Sequence, residues 1–171
     1  MTAAAKSTAS SQQFLTEACL VERFVGALQA GRTTFGAVQV TTEWNHRSGL
    51  VDVLVRNGGN ALVAFEAKLS DWRRAFLQAY RNTAYANRAY VLLPKQIAHR
   101  ALRDREEFEF RGVGLCSFDG SKVRVLIGAA EQDPLLRWLR AQAHEHFDGL
   151  TDEYRARPGC GRHRTVRATR V

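Results

Sequence analysis

The stretch that most restricts the fold is Gly49-Leu50-Val51-Asp52-Val53-Leu54-Val55-Arg56-Asn57-Gly58-Gly59-Asn60-Ala61-Leu62-Val63-Ala64-Phe65-Glu66-Ala67-Lys68. Two apolar, branched runs flank a glycine-rich turn, the pattern of a β-hairpin. Three charges interrupt those runs: Asp52 in the first arm, and Glu66 with Lys68 at the end of the second. A charge buried alone is costly, so each calls for a partner or an ion. Side chains alternate along a strand, which sends Glu66 and Lys68 to the same face. Asp52 joins them in only one kind of register. A two-residue turn at Gly58-Gly59 would set Asp52 opposite Phe65, whereas a loop of three or five residues sets it opposite Glu66. The expectation is the odd loop, with a glycine in the left-handed region and a bulge. Two carboxylates and an ammonium then share one small volume.

Two carboxylates converging from adjacent strands make a hard, oxygen-rich pocket. It suits Mg²⁺ or Mn²⁺ and suits Zn²⁺ poorly, because zinc prefers nitrogen and sulfur. A protonated lysine cannot ligate such a cation, but it can stabilise an attacking hydroxide or the charge that builds up on a phosphate under attack.

Asp52, thirteen intervening residues, and then Glu66-Ala67-Lys68 resemble the D…ExK signature of the PD-(D/E)XK, or restriction-endonuclease-like, nuclease superfamily. Gln78, ten residues after Lys68, stands where many members carry a glutamine that touches the site, and Tyr90-Val91-Leu92-Leu93-Pro94 is similar to the next core strand. The resemblance spans roughly residues 12 to 127 and implies an αβββαβ core with a mixed central sheet flanked by helices. It also implies roles. Asp52 and Glu66, with the Ala67 carbonyl, would hold Mg²⁺ (or Mn²⁺). Lys68 would stabilise the attacking hydroxide, and Gln78 would orient water or phosphate. A glutamate on the first helix often completes such a site, and Glu22 is preferred here over Glu17.

A chain of 171 residues with 45% hydrophobic and 25% charged residues is one ordinary globular domain. Residues 12–150 would form it, after a disordered segment at 1–11 and before a basic, flexible tail at 151–171. No apolar run is long enough to cross a bilayer and the N-terminus has no apolar signal core, so a cytoplasmic protein with no membrane partner is expected. Cys19, Cys116 and Cys160 are an odd, scattered set without a CxxC pair, which argues against a disulfide framework or a structural zinc site. The net charge is +8, and six of those charges are arginines in residues 155–171, a stretch without acids. Arg162, Arg164 and Arg167 of this tail would contact phosphates without reading sequence.

Along the rest of the chain, the apolar spacing of Phe14, Ala18, Val21, Val25 and Leu28 predicts a helix from Ser11 to Leu28. Ala37 to Trp44 reads as a strand, followed by a loop carrying His46. Ser70 would cap a helix running to Asn87, with Trp72, Phe76, Ala79 and Thr83 in the core and Arg74, Gln78, Arg81 and Tyr85 on a second, phosphate-facing stripe. Ala89–Leu93 lacks alternation and should lie at the sheet centre. Lys95–Phe108 reads as a surface helix, and Val113–Phe118 and Lys122–Ile127 as a hairpin around Asp119-Gly120. Asp133-Pro134 would open a C-terminal helix that packs Leu135, Trp138, Leu139 and Phe147 on the sheet. His144, His146 and Asp148 have no metal-binding spacing, and no GxSxG elbow, P-loop or GxGxxG occurs.

The leading functional expectation is a metal-dependent nuclease that hydrolyses phosphodiester bonds in DNA, with RNA as a second substrate and a homodimer as one assembly. The alternative class is a catalytically inactive nucleic-acid-binding or assembly protein that keeps the fold. Clustered carboxylates repel phosphate unless a cation intervenes, which favours the enzyme.

Overall fold

A computed structural model describes residues 14–36, 38–46 and 49–155, the last five by backbone alone. Apolar runs of strand length supply six strands: β1 (Val38–His46), β2 (Gly49–Asn57), β3 (Leu62–Ala67), β4 (Arg88–Pro94), β5 (Gly114–Phe118) and β6 (Val123–Ile127). Among the described residues five α-helices surround them: α1 (Glu17–Gln29), α2 (Trp72–Asn82), α3 (Lys95–Ala101), α4 (Arg105–Arg111) and α5 (Arg137–Arg155). The strands form one mixed sheet in sequence order. β1, β2 and β3 pair antiparallel, β3, β4 and β5 pair parallel, and β6 returns antiparallel on β5.

Alternation along the strands builds a core on each face of the sheet. On one face Val53, Val55, Val63, Phe65, Ala67 and Leu92 pack against Leu20, Phe24, Ala27 and Leu28 of α1. On the other, Ala89, Val91 and Leu93 meet α2, α3 and α4, while Leu54, Leu62 and Ala64 meet Tyr85 and α5. The β4 run is therefore buried from both sides, as its lack of alternation predicts.

The decisive hairpin takes the odd loop. Val53 pairs with Phe65, Leu54 with Ala64, Val55 with Val63 and Arg56 with Leu62. One further step of this register brings Asp52 level with Glu66. Gly58, Gly59 and Asn60 form the three-residue loop, closed by Asn57 N–H to Ala61 O at 3.0 Å and Asn60 N–H to Asn57 O at 3.0 Å. The left-handed residue is Asn60 (φ 60), not a glycine, and the paired residues of β2 and β3 run without a bulge. Asn57 holds the turn, its Oδ1 accepting from Gly59 N–H and Ala61 N–H.

Several element boundaries correct the sequence reading. α1 begins at Glu17 behind a Thr16 cap, six residues later than Ser11, and its buried stripe is Leu20, Phe24, Ala27 and Leu28, with Ala18 exposed. His46 ends β1 and is not a loop residue. Asp71, and not Ser70, caps α2 by accepting from Arg74 N–H, and the helix stops at Asn82. Lys95–Phe108 is not one helix: a 3-10 turn at Leu102–Asp104 separates α3 from α4. α5 starts at Arg137, beyond Pro134, so Leu135 and Trp138 stay exposed while Leu139 and Phe147 are buried.

Candidate functional site

The sheet loses its regularity where the charges sit. Val51 packs in the core under α5 and Val53 in the core under α1, although residues two apart on a regular strand share a face. Directly across the ladder Glu43 has φ 52, and the flanking pairs Thr42–Val53 and Trp44–Val51 leave it and Asp52 unpaired in the ladder. Left-handed backbone is unfavourable for a residue with a Cβ. It switches β1 from Val40, which faces α1, to Trp44, which faces α5.

The β2–β3 ladder ends at Val53–Phe65, and the next link is made by a side chain: Asp52 Oδ2 accepts from Ala67 N–H at 2.8 Å. Lys68, one residue past β3, has its own N–H on Leu92 O, and its ammonium donates to Ala67 O at 2.9 Å and Glu17 Oε2 at 3.1 Å. The same ammonium lies 3.8 Å from Asp52 Oδ2. Lys68 is thus held from the α1 side, and period-two spacing does not lay its ammonium alongside the Glu66 carboxyl.

Glu66 is held from the opposite side. It is 1% exposed, and Asn82 Nδ2 donates to its Oε1 at 2.7 Å. Among the described residues its Oε2 accepts no hydrogen bond, and the same holds for Gln78 Oε1 and the Tyr85 hydroxyl, while a side-chain hydrogen bond with Asp52 favours the protonated form of Glu66. Burial and the Asp52 carboxylate push the Glu66 carboxyl up to about 8, outweighing the Asn82 amide and Lys68, which pull it down. Burial, followed by the charge on Glu66, also raises the Tyr85 phenol.

The predicted Asp52, Glu66, Ala67 and Lys68 therefore come together, with Gln78 one helical turn before Asn82 on α2. Glu22 does not join them. The helix glutamate at the site is Glu17, and residues five apart on a helix point about 140° apart; Glu22 is exposed. Asn82 is a site residue that the sequence reading missed, and Tyr85 is one that it placed on the wrong surface. Tyr85 is buried past the end of α2, beside Trp44 and His46 with ring centroids at 5.6 and 5.3 Å, and not on a phosphate-facing stripe. Burial holds the His46 imidazole below its usual range. Arg74 and Arg81 are exposed on α2, on either side of Gln78. Arg162, Arg164, Arg167 and the N-terminal segment lie outside the described residues. His146 meets Thr41 Oγ1 at 3.0 Å, and Asp148 pairs with Arg56 at 2.7 Å.

Comparison with known proteins adds a fold and nothing more. No family model matches the chain. No curated protein matches it either. Among solved structures, a protein of unknown function from Silicibacter pomeroyi is similar, with a TM-score of 0.60 at 18% identity over 86% of this chain and 97% of the other. What is shared is the mixed α/β arrangement of a sheet between helices.

As a cation site the cluster has oxygen chemistry. Asp52, Glu66 and the Ala67 carbonyl are hard donors, and Mg²⁺ sites commonly use one or two carboxylates and leave the other positions to water and phosphate. Among the described residues no group of three or more His, Cys, Asp or Glu could hold a metal. Protein donors of this site are therefore few, and the donor set fits an open, water-rich magnesium site better than a closed cage.

Proposed function

We propose that the protein is a metal-dependent phosphodiesterase acting on DNA, with a core of the restriction-endonuclease-like kind. The observation that carries this reading is Glu66: a buried carboxyl with one oxygen anchored by Asn82, the other accepting nothing among the described residues, and a second carboxyl, Asp52, against it. Such a group destabilises the fold unless a cation or a proton compensates it.

Asp52 and Glu66 would hold the cation, with the Ala67 carbonyl available once Lys68 releases it. A bound divalent cation supplies a water of lowered pKa and neutralises charge on the scissile phosphate. Lys68, tethered by Glu17, is within one side-chain swing of the carboxylates and would stabilise the incoming hydroxide. Gln78, whose Oε1 is unpartnered, would orient water or a phosphate oxygen. Arg74 and Arg81 would take flanking phosphates, with a salt-dependent and sequence-independent contribution to affinity.

The test is cleavage of linear, circular and single-stranded DNA with Mg²⁺ or Mn²⁺, by wild type beside Glu66→Ala and Lys68→Ala. Metal-dependent cutting that disappears in both folded variants supports the reading. One observation favours the alternative of a non-cutting nucleic-acid-binding protein: Lys68 already caps the Ala67 carbonyl and ties up Glu17. Salt-dependent DNA binding without cleavage, equal in wild type and both variants, would decide for it.

A further inference from the structure

We propose that the exposed face of α2, together with the C-terminal end of α4, is a docking surface for an unpaired nucleic-acid strand. The proposal deepens the reading above, since it names the form of substrate and the path by which it reaches Glu66. The outward arc of α2 consists of Arg73, Arg74, Leu77, Tyr80 and Arg81, three cations and two apolar side chains with no acid among them. Arg74 and Arg81 flank Gln78 at four and three residues, so the cationic arc begins at the edge of the site. At its far edge the Arg111 guanidinium lies over the Tyr80 ring at 4.8 Å and 6.0 Å from the Phe110 ring. Phe110 is 85% exposed, and Leu77 and Tyr80 are exposed as well.

Among the described residues three arginines elsewhere are held by acids, while others, such as Arg100 and Arg103, are not. Arg56, Arg88 and Arg105 each pair with a carboxylate at 3.0 Å or less. Arg74, Arg81 and Arg111 make no ion pair among the described residues, and Arg73 reaches only Asp104, at 3.8 Å. The exposed acids of α4 are Glu106, Glu107 and Glu109, of which Glu109 is taken by Arg105 at 2.8 Å and the other two lie one turn before Phe110 and Arg111. A row of unpaired guanidiniums seeks phosphates. Flat rings with a guanidinium stacked on them seek other flat rings, and bases offer that face only when unpaired. Duplex DNA, its bases stacked on one another, could satisfy the arginines but not Tyr80 and Phe110.

Fluorescence anisotropy of a labelled oligothymidylate and of a labelled duplex, in chelator so that nothing is cut, tests this directly. Wild type should bind the single strand more tightly than the duplex. Tyr80→Ala and Phe110→Ala should each weaken single-strand binding about five- to a hundredfold and leave duplex binding nearly unchanged. Arg74→Ala and Arg81→Ala should weaken both and flatten the salt dependence. All four side chains are exposed, so unchanged melting is expected and is checked. Single-strand binding that is indifferent to both ring substitutions overturns the proposal. So does a concentration-dependent dimer that Phe110→Ala dissolves, because the surface would then belong to a second copy of the chain. The two readings fail separately: loss of the ring effect leaves cleavage through Glu66 untouched, and strand binding at the ridge survives if Glu66→Ala cuts like wild type.

Discussion

Glu66 carries the main electrostatic cost of the site. Its folded-state carboxyl titrates at about 8, against an ordinary value of 4.5. Between those two pH values the folded chain keeps a proton that the unfolded chain has lost, so stability falls as pH rises through that window. The loss is about 1.4 kcal/mol for each pH unit, a few kcal/mol in all. Glu66→Gln keeps the shape and the acceptor for Asn82 without the charge. Its melting temperature in chelator should match wild type near pH ~4 and exceed it by several degrees near pH ~8; equal melting at both would deny the buried charge. Asn82→Ala should cost about 1–3 kcal/mol in denaturant titrations, because it strands Glu66 Oε1. The convergence of Asp52, Glu66 and Lys68 was legible because charges within or at the end of an apolar strand need partners. Asn82 was not, since a polar residue near a helix end is ordinarily solvated. Glu17 lost to Glu22 because the azimuth of a helix glutamate depends on how the helix docks, which spacing alone does not fix.

The hairpin loop shows how far an element can be read from its residues. The odd register follows from the need to compensate buried charges and was legible. The left-handed position was not, because asparagine tolerates that region too, and two consecutive glycines draw attention from the Asn60 beside them. Asn60→Gly should therefore alter stability by only a few tenths of a kcal/mol, whereas Asn60→Val should cost about 1–2 kcal/mol by thermal or urea unfolding. Equal effects would mean that the loop is not built on a left-handed residue. The starts of α2 and α5 were misread for a related reason: Ser70 and Asp133 look like caps, but the helices begin at the Asp71 cap and beyond Pro134, and α1, extended to Ser11 on apolar spacing, begins at its Thr16 cap. Local capping chemistry proposes several starts, and burial selects among them.

At the scale of the whole molecule, the succession of strands and helices, the mixed sheet between helices and the two-sided burial of β4 were legible from the apolar runs. The split of helices, α1 alone on one face and the rest on the other, was not, because which face a helix covers is a matter of chain crossing. That split lets Glu17 and Asn82 grip the site from opposite sides of one sheet. A divalent cation bound there should stabilise the fold, since it binds the folded chain alone, by about 2.7 kcal/mol at a hundred times its dissociation constant, and so raise the melting temperature. The gain should grow with pH because Glu66 must first lose its proton. Titration of Mg²⁺ or Mn²⁺ into thermal melts of wild type, Asp52→Asn and Glu66→Gln checks this; equal gains in all three would place the cation elsewhere. Asp52 differs from Glu66 in one respect that reaches beyond chemistry. Its carboxylate stands in for a missing rung of the ladder by taking the Ala67 N–H, so the sheet itself depends on it. A chain with no substrate to turn over would still be under pressure to keep Asp52 and under pressure to discard Glu66. Of the two acids, the expensive one is the better witness to a working site.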